Sequence, residues 1–123
     1  MKVIHTENAP AAIGPYSQAI VAGSLVFTSG QIPINPATGQ IEAVTIEEQT
    51  EQVCKNIQAV LAAAGSSLNK VVKTVCFLSD MDNFAAFNAV YSKYFTGKPA
   101  RSCVAVKTLP KNVLVEVDTI AEI

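Results

Sequence analysis

The 123-residue sequence is poor in the side chains from which common catalytic sites are built. It contains one histidine, His5, near the N-terminus. This scarcity weighs against a histidine-based zinc site and against a serine or cysteine nucleophile activated by histidine. No glycine-rich motif of the dinucleotide-binding or P-loop type is present. We therefore expect no metal centre and no recognised nucleotide-phosphate site.

Cysteines and long apolar runs are also scarce. Cys54, Cys76 and Cys103 are odd in number, widely spaced and without a CxxC pair, which is not the pattern of a disulfide framework. The segment from Met1 to Glu7 has no apolar signal core, and no stretch is long enough to span a bilayer. We therefore expect a cytoplasmic protein with no membrane partner.

Charge is low and balanced. Charged residues make up 15% of the chain and the formal net charge is −1, with neither a basic stripe nor an acidic tail. Nucleic acid is therefore not expected as a partner. A chain of this length forms one domain with one core, so we predict a single domain over 1–123. Half of the residues are hydrophobic, which indicates that some apolar surface is buried against another subunit.

Turn residues and hydrophobic periodicity divide the chain into strands and two helices. Thr45-Ile46-Glu47-Glu48 is a capping box, and it predicts the start of a helix that stops at Gly65. The other predicted elements are a loop over 9–16, hairpin strands over 17–21 and 25–29, a long loop over 31–43, a strand over 71–79, a helix over about 83–95 and strands over 101–107 and 113–120.

Two apolar helices can cover only one face of such a sheet. In the last strand Val115 and Val117 share one side, which we assign to the helices, and this places Glu116 on the other side. If the valines of the preceding strand also face the helices, Arg101 and Cys103 share the uncovered face with Glu116. A mixed face of this kind is typical of a subunit interface.

The last two strands each carry one charge in an otherwise apolar run. Arginine is the side chain best shaped to grip a carboxylate through two parallel hydrogen bonds. Glutamate is a common general base or water-orienting group. Arg101 and Glu116 therefore predict a small site for an anionic substrate. The alternative is an ordinary inter-strand ion pair on a solvated edge.

Several motifs in register resemble the Rid (reactive intermediate deaminase) proteins, also called the YjgF family. These motifs are Asn8 to Gln18, Thr28 to Pro33, Phe84 to Tyr91, Pro99 to Val104, Leu109-Pro110 and Val115-Glu116. The resemblance runs through the whole chain and is closest to the archetypal deaminase subgroup. It implies an α+β domain of the chorismate-mutase-like type, with two helices on one face of a mixed sheet. It also implies a homotrimer in which three sheets enclose a barrel and active sites lie between subunits.

The resemblance also implies an activity. Family members hydrolyse short-lived enamines and imines, such as 2-aminoacrylate, 2-iminobutanoate and 2-iminopropanoate, to 2-oxo acids and ammonia. They use no cofactor or metal, and their substrates arise from pyridoxal-phosphate enzymes acting on serine or threonine. Two alternatives stay open: a regulator that binds a 2-oxo acid or amino acid without catalysis, and a chaperone-like trimer with no ligand.

Roles for individual residues follow from the same resemblance. Arg101 matches the arginine that holds the substrate carboxylate, Glu116 the glutamate that orients or activates water, and Tyr16 a tyrosine that reaches the cleft. The matches to substrate-binding positions are Ser29, Gly30, Asn88 and Cys103. The short link over 96–98 departs from some relatives and leaves the preferred substrate size open.

The residues alone favour a plainer interpretation of four of these positions. Tyr16 fits a turn aromatic that packs on the surface, and Ser29 fits the end of a strand. Asn88 fits a solvated position on a helix. Cys103 fits a small buried apolar side chain.

Overall fold

The structure, a computed structural model, describes residues 1–123. Two α-helices pack on one face of a mixed sheet, as predicted, but the sheet has six strands and not the predicted five, because a short N-terminal strand was not predicted. The strands are β1 (Lys2–Ile4), β2 (Ala19–Ala22), β3 (Leu25–Thr28), β4 (Val71–Leu78), β5 (Ala100–Ala105) and β6 (Val115–Glu122). The helices are α1 (Ile46–Ala63) and α2 (Phe84–Tyr94). Neither helix is long and apolar enough to cross a membrane.

The order of strands in the sheet is β1-β2-β3-β6-β4-β5. Only the β4–β5 pair is parallel, and α2 provides the crossover that a parallel pair requires. The last strand, β6, lies between β3 and β4, so the chain ends in the middle of the sheet. Glu116 is therefore carried by a central strand with a neighbour on each side.

The predicted capping box begins α1. Thr45 Oγ1 accepts a hydrogen bond from the Glu48 amide at 3.2 Å, and Glu48 Oε1 accepts one from the Thr45 amide at 3.2 Å. These hydrogen bonds lower the pKa of the Glu48 carboxyl. The helix ends at Ala63, and Gly65 follows with φ of +81°, a left-handed conformation that favours glycine.

The core lies between the helices and the sheet. Its largest fully buried side chains include Ile57 and Leu61 of α1, Phe87 of α2, and Leu78 and Val115 of the sheet. Val115 and Val117 face the helices as predicted, because both are buried, while Glu116 between them is only half-buried.

The orientation of β5 is the reverse of the predicted one. Arg101 pairs with Thr74, and the Thr74 hydroxyl lies 2.7 Å from the hydroxyl of Tyr91 on α2. Arg101 and Cys103 therefore face the helices, while Val104, 48% exposed, faces away from them. The prediction failed for a physical reason. Because β5 is a short edge strand, the alternation of its side chains does not determine which side is buried. The side that faces α2 is the one on which Arg101 finds a polar partner and aromatic rings.

The face of the sheet away from the helices is uncovered in this chain. The cross-strand partners Val3, Ile20, Phe27 and Ile120 form an apolar row across four strands. Val3 and Phe27 are 59% and 40% exposed. On the same face burial raises the pKa of the Asp118 carboxyl. An apolar face of this extent is typical of an association surface.

The conformation at the end of α1 gives a stability prediction. Replacing Gly65 with alanine puts a Cβ on a left-handed residue, with ordinary contact to Ile123 at 3.9 Å, so the cost is conformational. We expect Gly65→Ala to lower the free energy of unfolding by about 1 kcal/mol. Gly97 is the matched control, because its φ is not left-handed and an added Cβ would make only ordinary contact, 3.8 Å from the Asn69 carbonyl oxygen. Chemical denaturation in which both substitutions have the same effect would contradict this account.

Candidate active site

One cleft of about 590 Å³ opens on the protein surface. Its walls come from the loop before β2, the segment after β3 and the turn before β6. The lining residues are Pro10, Ala11, Ile13, Tyr16, Gln18, Ser29, Gly30, Gln31, Ile32, Ile34, Pro110, Lys111 and Glu116. The lining is mainly apolar and uncharged, and Glu116 and Lys111 are its two charged residues.

Glu116 projects from β6 and lies directly against the backbone of Gly30. A Cβ added at Gly30 would overlap Glu116 Oε2 and lie 2.9 Å from Glu116 Cδ. Any side chain at position 30 would therefore displace the Glu116 carboxylate from its present position. Burial, and secondarily the nearby Asp118 carboxylate, raise the pKa of Glu116. A carboxylate with a raised pKa is a stronger base than an ordinary exposed glutamate.

Tyr16 and Ser29 flank this carboxylate in the cleft. The Tyr16 side chain is 52% exposed and lines the wall formed by the loop before β2. The Ser29 hydroxyl donates to the carbonyl of Ser17 at 2.6 Å, and the Ser29 amide donates to the carbonyl of Gln18 at 2.9 Å. Because its one proton is used within the protein, the Ser29 hydroxyl is left able only to accept a hydrogen bond from a ligand.

A second cluster forms where β5 meets α2. Arg101 Nη1 donates to Asn88 Oδ1 at 2.7 Å. The guanidinium carbon lies 4.9 Å from the ring centre of Tyr91 and 5.4 Å from that of Phe84, distances at which a cation and an aromatic face attract. Asn88 and the two rings therefore fix the orientation of the guanidinium. Asn88 serves here as a partner of Arg101.

Arg101 has no carboxylate partner within the chain. The one ion pair present joins Lys55 and Glu51, 3.8 Å apart on α1. The alternative interpretation of Arg101 and Glu116 as an inter-strand ion pair is therefore wrong. Since Asn88 engages one of five guanidinium N–H donors, the others are available for an anion.

The cysteines are not activated. Burial raises the pKa of Cys54 and of Cys76 to about 12 and raises that of Cys103 as well. A thiol with a raised pKa is protonated at neutral pH and is a poor nucleophile. Cys103 therefore has the character of a half-buried apolar side chain beside Arg101. No group of three histidine, cysteine, aspartate or glutamate side chains is placed to hold a metal ion.

The seven predicted site residues fall into two clusters in one chain. The cleft brings together a glutamate cluster, which consists of Tyr16, Ser29, Gly30 and Glu116. The arginine cluster consists of Asn88, Arg101 and Cys103. Along β4, Glu116 pairs with Phe77 and Arg101 pairs with Thr74, three residues away. Since side chains alternate between faces, the two charges lie on opposite faces, and their predicted placement on one face was wrong.

Gln18 and Lys111 belong to the cleft but were not predicted as site residues. Gln18 is 2% exposed and its amide bonds to the loop that carries Tyr16. Its signal was a large polar side chain at the start of a predicted strand. Lys111 has φ of 56° and its neighbour Asn112 has φ of 55°, so the turn before β6 holds two successive left-handed residues. Pro110 and Asn112 marked a turn but did not reveal that it lines the cleft.

Known proteins are similar to this chain over almost its whole length. The family model described as "Endoribonuclease L-PSP" matches residues 6–123. The "Putative regulator AldR" of Lactococcus lactis is 54% identical, over 100% of this chain and 98% of that protein. The crystal structure of a protein of unknown function in the conserved Rid family of Yersinia pestis superposes with a TM-score of 0.96 at 52% identity, covering 99% of this chain and 98% of that one.

A further solved structure contains a ligand. The crystal structure of Escherichia coli TdcF with bound serine superposes with a TM-score of 0.96 at 42% identity, covering 100% of this chain and 99% of that one. Agreement at this level confirms the α+β fold of the chorismate-mutase-like type.

The raised pKa of Glu116 leads to a prediction about stability. An acid whose pKa is higher in the folded than in the unfolded chain binds more protons when folded, so its contribution to stability falls as pH rises through that pKa. Relative to an unfolded value near 4.5, the ionised Glu116 disfavours folding at neutral pH. We expect Glu116→Gln to raise the melting temperature at pH 7, with a gain that shrinks towards pH 4. Calorimetry at several pH values measures this, with the exposed Glu7→Gln as control. A gain that grows on acidification would contradict it.

Proposed function

The chain belongs to the Rid (YjgF) family, and we propose that it is a deaminase of reactive imines. The substrates are 2-iminobutanoate and 2-iminopropanoate, which form from enamines such as 2-aminoacrylate, and the products are 2-oxo acids and ammonia. The observation that carries the proposal is an oriented guanidinium without a carboxylate partner, in a chain that also presents a carboxylate of raised pKa in a cleft. These are the two groups that this hydrolysis requires.

Arg101 binds the substrate carboxylate in this proposal. The hydrogen bond to Asn88 and the rings of Phe84 and Tyr91 hold the guanidinium before a ligand arrives. A group fixed in advance loses less conformational entropy on binding than a free arginine would. Its remaining N–H donors suit the two oxygens of a carboxylate.

Glu116 handles the water. As the water oxygen bonds to the imine carbon, Glu116 accepts one of the water protons. That proton passes to the nitrogen, which has taken up the electron pair of the carbon–nitrogen double bond, and a carbinolamine forms. Glu116 then transfers the hydroxyl proton of the carbinolamine to the nitrogen, the carbon–oxygen double bond forms as the carbon–nitrogen bond breaks, ammonia leaves and the 2-oxo acid remains. The raised pKa of Glu116 makes its carboxylate a stronger base than an ordinary exposed glutamate. Holding the carboxylate and the water together supplies most of the remaining acceleration. No cofactor or metal takes part in the proposed steps.

The two clusters meet between copies of the chain. Because Arg101 and Glu116 lie on opposite faces of one sheet, a site that uses both requires the arginine cluster of one copy and the glutamate cluster of the next. A contact between two unlike surfaces repeats from copy to copy, and it leaves no surface unpaired only when the copies form a closed ring. We propose a homotrimer with three such sites, in which the uncovered apolar faces enclose a central barrel. The row formed by Val3, Ile20, Phe27 and Ile120 supports this burial.

The relatives support a small ligand that carries a carboxylate. The Escherichia coli relative binds serine, which has a carboxylate and an amino group on adjacent atoms, like the proposed imines. Such imines decay quickly, so the proposed enzyme acts where they are produced, in the cytoplasm. The family model carries the name of a ribonuclease, but in this cleft an RNA chain would meet one cation, Lys111, together with the Glu116 carboxylate.

A regulator that binds the same ligands without catalysis is the second candidate. It is favoured by the name of the Lactococcus lactis relative and by the fact that Arg101 alone suffices to bind a carboxylate. A regulator has little use for a base, so Glu116 distinguishes the two candidates.

Single substitutions separate binding from turnover. We expect Arg101→Ala to lose affinity for 2-oxobutanoate together with ammonia release, because a charge-assisted contact contributes about 1.5–3 kcal/mol. Arg101→Lys should also be impaired, because a lysine lacks the planar fork of the guanidinium group.

Glu116→Gln should bind 2-oxobutanoate while its turnover falls by about 10²–10⁴-fold. Calorimetry and ammonia release from enzymatically generated imine measure these effects. Binding without turnover in the wild type would favour the regulator.

Mixing two inactive variants tests the shared site. In a trimer that contains both Arg101→Ala and Glu116→Gln subunits, one junction joins an intact Arg101 to an intact Glu116. In a random 1:1 mixture roughly three quarters of the trimers are mixed, so about a quarter of the wild-type activity should return. Subunits exchanged by co-expression, with light scattering to confirm three times the 13.0 kDa chain mass, provide the test. Activity that stays at the level of the separate variants, in confirmed mixed trimers, rules out the shared site.

A further inference from the structure

Residues 5–16 form one wall of the cleft without belonging to a helix or strand. This segment, which we call the wall segment, contributes Pro10, Ala11, Ile13 and Tyr16 to the lining. Every hydrogen bond that joins it to the rest of the chain involves the side-chain amide of Gln18. A single buried side chain therefore provides all of its polar attachment.

The Gln18 carboxamide is fully used in this attachment. Its Oε1 accepts from the Thr6 amide at 2.8 Å, and its Nε2 lies 2.8 Å from the carbonyl of Pro10, 3.0 Å from that of Thr6 and 3.4 Å from that of Ala9. Gln18 is 2% exposed, so water cannot take over these bonds at its buried atoms without a local opening.

Only one residue of the wall segment is fully buried. Ala9 is 3% exposed and belongs to the core, whereas Ile13 and Tyr16 are 81% and 52% exposed. The part of the segment that faces the cleft therefore has few apolar contacts to hold it in place. Its position depends on Gln18 and on the turn in which the Tyr16 amide donates to the Gly14 carbonyl at 2.9 Å.

Residue 18 also connects the wall segment to the glutamate cluster. Its backbone carbonyl accepts from the Ser29 amide at 2.9 Å, and Ser29 precedes Gly30, against which Glu116 lies. The next residue, Gln31, exchanges backbone hydrogen bonds of 2.8 and 3.2 Å with Val117. Hydrogen bonds and the short chain segment 29–31 thus connect the wall segment, through residue 18, to Val117, which follows Glu116 in β6.

We propose that Gln18 is a positioning residue, whose side-chain amide holds the wall segment and Tyr16 against the substrate beside Glu116. The catalytic consequence rests on the proposed deaminase function, while the structural consequence for the wall segment does not. Substituting Gln18 should therefore raise KM more than it lowers kcat. In the variant, part of the binding free energy of the substrate would be used to order the wall segment, which Gln18 already orders in the wild type.

The informative substitution is Gln18→Glu. It keeps the size and the acceptor for the Thr6 amide but replaces the donor by an oxygen that, when ionised, faces the carbonyls of Thr6, Ala9 and Pro10. Protonation restores one donor, and burial among carbonyls raises the pKa of such a carboxyl. We expect a KM for 2-iminobutanoate at least about tenfold higher than wild type at pH 8, with a ratio that decreases towards pH 6.

Other ionisable groups also lie near position 18 and can change KM with pH. Those that share the wall segment or the cleft with position 18 are His5, Glu7, Tyr16, Lys111 and Glu116. Dividing each KM by that of the wild type at the same pH removes every effect of pH that the two proteins share. Gln18→Met, which has neither donor nor acceptor, should show a KM increase that does not depend on pH. It also serves as the second variant if Gln18→Glu does not fold.

Gln49→Glu is the matched control. Gln49 is 6% exposed, its Nε2 donates to the carbonyl of Ala43 at 3.1 Å, and its Oε1 accepts from the Leu114 amide at 2.8 Å. It is therefore another buried glutamine that holds an irregular segment, but it does not line the cleft. Its substitution should lower the melting temperature and leave KM within about twofold of wild type. An equal KM increase in Gln49→Glu would overturn the proposal, because general loosening would then explain both.

Hydrogen exchange tests the proposal without using activity. In Gln18→Met, which removes the carboxamide acceptor, the amide of Thr6 should exchange at least about tenfold faster than in the wild type, while the amides of α1 stay protected. Affinity for 2-oxobutanoate, measured by calorimetry, should fall in parallel. If the wild type shows no deaminase activity, the proposed function fails, yet exchange and affinity still decide the role of Gln18. Unchanged exchange at Thr6 would overturn that role.

Discussion

The alternation of side chains across β4 is the constraint on which the rest of this structure depends. Thr74 and Phe77 lie three residues apart in that strand, and each holds one neighbouring strand in register. Arg101, opposite Thr74, is thereby turned towards α2, and Glu116, opposite Phe77, is turned towards the uncovered face. No rotamer can bring the two charges together within one chain. A function that requires both is consequently a function of an assembly, and the apolar uncovered face provides a surface on which an assembly can form.

Buried carboxamides attach the irregular segments that make up the cleft. A segment without regular structure cannot satisfy its own backbone groups, so its carbonyls need donors from elsewhere. Gln18 provides them for the loop before β2, and Asn56 provides them for the opposite wall by donating to the carbonyls of Ile32 and Ile34 at 3.1 and 2.9 Å. Outside the cleft, Gln49 attaches another irregular segment in the same way, between Ala43 and Leu114. The walls of the cleft are thus attached by a few side chains while the sheet below them is rigid, a combination typical of binding sites.

Local rules predicted the elements well, because their signals are local. The Thr45–Glu48 capping box, the left-handed Gly65 and the alternation in β6 each depend on a few adjacent residues. The orientation of β5 depends instead on what α2 offers from thirteen residues away, where Asn88 accepts from Arg101. The requirement for glycine at position 30 arises from Glu116, far along the chain. Motif resemblance identified these residues, but only the packing shows that Asn88 and the Ser29 hydroxyl act on other protein groups.

The same burial that makes Glu116 a useful base makes it a burden on the fold. Its pKa is raised because water is excluded from the carboxylate and because Asp118 carries a like charge on the same strand. Both effects persist without substrate, so the folded protein carries their cost permanently at neutral pH. Gly30 accommodates the carboxylate sterically and adds no charge to offset this. Arg101 is in the opposite condition, since Asn88 and two aromatic rings stabilise it before any ligand binds. In the proposed assembly the arginine cluster of one copy would approach the glutamate cluster of the next. The positive charge of Arg101 would then offset part of the unfavourable free energy of the buried Glu116 carboxylate. Assembly of the subunits and formation of the active site would therefore depend on the same pair of charges.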